Sequence, residues 1–94
     1  MIVGVSTIEI FIPDSRSLKG KRKVLNGIKS RIRNKYNVSI NEVDFSDLWQ
    51  RAKLGVSIVG NSSKFVDSTL SKVLNEIKKD LRIEVIDYKM ELKI

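Results

Sequence analysis

The sequence predicts a single α+β domain in which a four-stranded antiparallel sheet carries two helices on one face. Two observations lead there. Four stretches alternate apolar and polar residues with a period of two, and two others repeat with the 3.6-residue period of a helix. They follow one another as β-α-β-β-α-β, the split-βαβ or ferredoxin-like order. Right-handed crossovers then put the first and third strands in the centre of the sheet, with one sheet face left uncovered.

Residues 2–12 form the first strand, with Ile8, Ile10 and Ile12 alternating against Thr7, Glu9 and Phe11. Pro13, Asp14 and Ser15 end it. Ser17 is a fitting N-cap because its hydroxyl can accept from a free first-turn amide. The first helix spans residues 18–35, and Leu18, Val24, Leu25, Ile28 and Ile32 share one arc. Gly20 and Gly27 weaken it, each by about 1 kcal/mol relative to alanine. The second strand covers residues 38–45. Val38 and Ile40 lie in one phase and Val43 and Phe45 in the other, so a bulge is expected near Asn41-Glu42. A polar connection through Ser46 and Asp47 leads to the third strand, residues 50–60, which points Arg51, Lys53, Gly55, Ser57 and Val59 outward. Asn61, Ser62 and Ser63 supply capping chemistry for the second helix, whose apolar face is Val66, Leu70, Val73, Leu74, Ile77 and Leu81. The last strand is expected over residues 83–94, with Ile86, Tyr88, Met90 and Leu92 on one side.

Ninety-four residues, 41% of them hydrophobic, suffice for one core and no second domain. The chain has no cysteine, which excludes disulfides, thiolate metal sites and cysteine nucleophiles. It has no histidine either, so a serine triad lacks its base. The five glycines form no phosphate-cradling loop. No stretch approaches the roughly 20 apolar residues of a membrane span, and the N-terminus already alternates like a strand. A cytoplasmic, non-catalytic protein without cofactor, metal or membrane partner is the expectation.

Charge is the most informative property. Eighteen Lys and Arg against eleven Asp and Glu give a formal net charge of +7, and the pI is near 9.9. Residues 15–41 hold nine basic side chains and no acidic one, while the remainder holds nine basic and eleven acidic. On a helical projection from Leu18, Lys19, Arg22, Lys23, Lys29 and Arg33 fall between about 20° and 140°, opposite an apolar arc centred near 310°. A one-sided cationic stripe suits a phosphate backbone. Structured RNA is therefore the expected partner, with Arg16 and Lys21 as secondary contacts. Lys21 and Lys35 flank the apolar face, from which their ammonium groups can snorkel. The outward residues of the central strands include only one terminal phenylalanine, too little to stack bases in the manner of an RNA-recognition motif.

Asp44, Asp47, Trp49 and Arg51 are the most enzyme-like cluster. Without histidine, cysteine or a second ligand pair they read better as a turn, with Asp47 bonding backbone amides and Arg51 paired to an aspartate. Trp49 is expected to cover one end of the core. The competing functional reading makes Trp49 and Arg51 a contact in a homodimer or another protein complex, formed through the open sheet face or an edge strand.

IPDSRSLKGKRKVL at residues 12–25 and NVSINEVDFSDLWQRAKLGVSIV at residues 37–59 resemble the YlxP-like family, domain of unknown function 503, over essentially the whole chain. The resemblance implies a ferredoxin-like fold. It also implies an association with the ribosome or its precursors, since members are often encoded beside translation and ribosome-maturation factors. Gly20 stands where relatives usually carry a charged helix former, and Phe45 where many carry histidine.

Overall fold

A computed structural model describes residues 1–93. Ile94, which the sequence pattern includes in the last strand, lies outside the described residues. The elements are β1 (Ile2–Phe11), α1 (Leu18–Lys35), β2 (Ser39–Asp44), β3 (Arg51–Gly60), α2 (Ser63–Lys78) and β4 (Glu84–Lys93). The sheet runs β2-β3-β1-β4 with every pairing antiparallel. The first and third strands are central, as right-handed crossovers require.

The alternation within each strand sorts side chains between two faces. Ile8, Ile10, Ala52, Leu54, Val56, Ile58 and Ile40 turn to the helices and are buried. Leu25, Ile28 and Ile32 of α1 and Val66, Leu70, Val73, Leu74 and Ile77 of α2 complete one continuous core against them. α2 approaches β1 closely enough that a Cβ on Gly4 would collide with Val66 Cγ1. Both caps form as the sequence suggests. Ser17 Oγ accepts from the Gly20 amide at 2.9 Å and Ser62 Oγ from the Phe65 amide at 3.3 Å.

Two local expectations need correction. Leu81 is fully exposed rather than on the apolar face of α2. The helix tightens after Lys78, with the Lys79 and Asp80 amides reaching back three residues to Glu76 and Ile77, and this turn carries Leu81 off the helical arc. Ile83 is the buried apolar residue of that connection instead. In β4 the register shifts opposite Glu9 and Ile10, so that Val85 faces Ile10 and Asp87 faces Glu9. Ile86 is the extra residue of this bulge and leaves the phase it was expected to share with Tyr88, Met90 and Leu92. The bulge of β2 lies between Glu42 and Asp44, next to the place that the phase change indicated.

Candidate functional site

α1 is anchored by three of its basic residues and displays the others. Lys21 is fully buried. Its Nζ donates to Glu42 Oε2 at 2.9 Å and to the carbonyls of Phe45, Ser46 and Arg51 at 2.8, 3.3 and 3.2 Å. Glu42 follows Ile40 by two residues and so faces the helices, which is why the two charges meet inside. Lys21 is therefore neither a snorkelling side chain nor a phosphate contact; it ties α1 to the β2–β3 connection. Arg31 reaches Asp80 at 3.4 Å and Glu76 at 3.8 Å, and Lys35 reaches Glu76 at 3.1 Å, joining α1 to the end of α2. The Arg82 guanidinium, above all, holds the Asp80 carboxyl down at about 2. The Lys35 ammonium, first among its neighbours, lowers Glu76 below its usual range.

The remaining cations point outward. Arg16, Lys19, Arg22 and Lys23 are exposed and Lys29 is half-buried, and none forms an ion pair among the described residues. Arg33 is exposed too, but its Nη2 donates to the Ile40 carbonyl at 2.7 Å and to Asn41 Oδ1 at 3.4 Å, so part of its fork is committed to β2. Ser17, Lys19, Gly20, Arg22, Lys23 and Asn26 line a shallow open depression along the outer face. Of the five predicted stripe residues, Lys19, Arg22 and Lys23 border this depression, while Lys29 is half-buried and Arg33 leans to β2; Arg16 lines a separate depression with Asp14 and Arg82. The helix itself contributes no carboxylate to this face, since its sequence contains none.

The β2–β3 connection lies beside the start of α1. Gln50 Nε2 donates to the carbonyls of Pro13 and Ser15 at 3.0 and 3.3 Å, pinning this loop to the one that precedes the helix. Phe45 adopts φ 62°, unusual for a bulky residue. Its amide donates to Asp44 Oδ1 at 2.8 Å while Lys21 holds its carbonyl, so both backbone groups are satisfied in that conformation. The Phe45 ring lies 5.4 Å from both the Arg51 guanidinium and the Lys53 ammonium, within cation–π range. Arg51 pairs with Glu9 across the open sheet face, not with an aspartate. Trp49 is 55% exposed and Leu48 43% exposed, so the tryptophan does not cover the core. Among the described residues no three His, Cys, Asp or Glu side chains form a group that could hold a metal ion. Neither the buried role of Lys21 nor the loop clamp of Gln50 is apparent from sequence spacing. Their partners lie in another element, and only the pairing of Glu42 with the core side of β2 would have signalled one of them.

These features define a small ferredoxin-like α+β domain with a basic helical face. The chain matches, over residues 3–90, the family described as "Protein of unknown function (DUF503)", and it belongs to that family. It is 41% identical over 73 residues to the "Uncharacterized protein YlxP" of Bacillus subtilis (strain 168), which covers 78% of this chain and 79% of that protein. Among solved structures it resembles the "De novo designed protein Foldit4" with a TM-score of 0.55 and 13% identity, covering 100% of this chain and 98% of that one. That likeness concerns the fold alone.

Proposed function

We propose that this protein is a non-catalytic, cytoplasmic binding module that docks on structured RNA, such as a ribosomal particle, through the outer face of α1. The observation that carries this reading is the division of labour among the basic residues of one segment. Lys21, Arg31 and Lys35 are consumed by carboxylates, whereas Arg16, Lys19, Arg22, Lys23 and Lys29 have no carboxylate partner among the described residues, and Lys19, Arg22 and Lys23 border one depression. A solubilising face would tolerate mixed signs, but this one carries a single sign. Cations placed on phosphates release condensed counterions, which favours association with any polyanion of matching shape. Phosphate contacts position a protein without reading bases. Arg33 contributes through the part of its guanidinium that Ile40 and Asn41 do not hold.

A second reading, a protein-interaction module using Trp49 and Arg51, is favoured by the exposure of Trp49. Arg51 supports it less, being engaged by Glu9.

The test is direct titration of purified protein into a labelled RNA hairpin and into purified ribosomal subunits. Saturable binding that weakens steeply with salt is expected. Absence of binding to both at low ionic strength contradicts the proposal.

A further inference from the structure

β4 is an edge strand of ten residues, Glu84–Lys93, that is paired on one side only. The opposite edge, β2, is six residues long and interrupted by a bulge, a common protection against intermolecular pairing. β4 has its bulge at Ile86 and then pairs without a break from Asp87 to Lys93. Along that run two patterns are superimposed. Asp87, Lys89, Glu91 and Lys93 lie on the open sheet face with strictly alternating charge, and Tyr88, Met90 and Leu92 lie on the helix side. Tyr88 and Leu92 are 48% and 40% exposed, and Met90 is half-buried. The Tyr88 amide donates to Asp87 Oδ1 at 2.9 Å, which marks it as directed to the free edge. By the alternation of an antiparallel ladder, the amides of Met90 and Leu92 point the same way.

We infer that β4 is the interface of a two-fold homodimer in which two β4 strands pair antiparallel with Met90 opposite Met90 of the second copy. A two-fold axis perpendicular to the sheet keeps like faces together and is self-complementary. In this register Tyr88 meets Leu92, Asp87 meets Lys93 and Lys89 meets Glu91, each twice by symmetry. Every charge on the open face faces its opposite, and every apolar side chain on the helix side faces another. Edge amides of Tyr88, Met90 and Leu92 then find carbonyls across the seam. Neighbouring registers lack this match. An axis at Lys89 sets Asp87 against Glu91, and an axis at Glu91 sets Lys89 against Lys93. The existing exposed Glu91–Lys93 ion pair at 3.1 Å exchanges partners in the dimer without leaving a charge unpaired.

Alternating charge on an edge strand can instead serve to repel other strands, and charge-swapped variants separate the two roles. Sedimentation velocity of the wild-type protein from low micromolar to millimolar concentration should show a monomer–dimer equilibrium. Lys89→Glu alone, and Glu91→Lys alone, each place like charges opposite one another twice and should weaken the dimer roughly tenfold or more. An equimolar mixture of these two variants restores both pairs across the seam and should dimerise like the wild type, as should the double variant. Both positions are exposed, so folding, followed by circular dichroism, should be unaffected. A wild type that stays monomeric throughout, single variants that dimerise at wild-type strength, or a mixture no tighter than its components would each overturn the inference. No RNA enters the experiment, so its outcome is independent of the basic face of α1.

Discussion

Lys21 illustrates how much one side chain can decide. Burying an ammonium costs several kcal/mol unless a counter-ion and further acceptors surround it. Here Glu42 and three carbonyls do so, and the same contacts hold Phe45 in its left-handed conformation. Lys21→Met keeps most of the volume but leaves the half-buried Glu42 and three carbonyls without their partner. It should cost about 3–5 kcal/mol in urea unfolding, whereas Lys19→Met should be nearly neutral. A helical projection places Lys21 correctly beside the apolar arc yet says nothing of what lies within reach, which depends on a strand twenty-one residues onward. Asp80 is a second decisive residue. The Arg82 guanidinium holds its folded pKa down at about 2, below the ordinary aspartate value of 3.8. The stability this contributes, about 2 kcal/mol, is therefore fully present above the unfolded pKa and lost as pH falls from about 4 through 2. Asp80→Asn should lower stability at neutral pH and flatten that acid limb, as thermal melts across pH would record.

At the scale of the elements, α1 and α2 are held by apolar faces whose members were legible from periodicity. Ile28→Ala and Leu70→Ala, both fully buried, should each cost about 2–5 kcal/mol, against about 0.5 kcal/mol or less for exposed Lys64→Ala. Gly4→Ala should cost about 1–3 kcal/mol in the same denaturant titrations, because the added Cβ meets Val66 where β1 and α2 touch. The strands, both caps and the bulge of β2 were likewise legible, since alternation and capping chemistry are local. Two features were not. Leu81 continues the helical period but sits beyond a tightened last turn, and periodicity does not show where a helix ends. Ile86 continues the alternation of β4, yet register is set by pairing with β1, and the bulge appears only there. The same limit applies to the site: the stripe could be read from α1 alone, but the withdrawal of Lys21 and the partial commitment of Arg33 depend on β2 and its loop.

Taken as a whole, the molecule separates its charge. Glu76 and Asp80 at the end of α2 meet Arg31, Lys35, Lys79 and Arg82, while Lys19, Arg22 and Lys23 on the outer face of α1 meet no carboxylate among the described residues. If two copies join through β4, both helix layers lie on the same side of the continuous sheet, so both basic faces belong to one side of the dimer. The central claim is that this face contacts phosphates, and the salt dependence of RNA affinity tests it most directly. The variant Lys19→Ala/Arg22→Ala/Lys23→Ala should stay folded, because these side chains lie off the apolar arc. The plot of log affinity against log salt should lose roughly two to three in slope relative to the wild type. Lys64→Ala/Lys72→Ala/Lys79→Ala lowers net charge equally from α2 and the residue that caps it. On this account the α2 triple keeps nearly the wild-type slope. Equal losses for the two triples would contradict it, since binding would then follow net charge and not the face of α1.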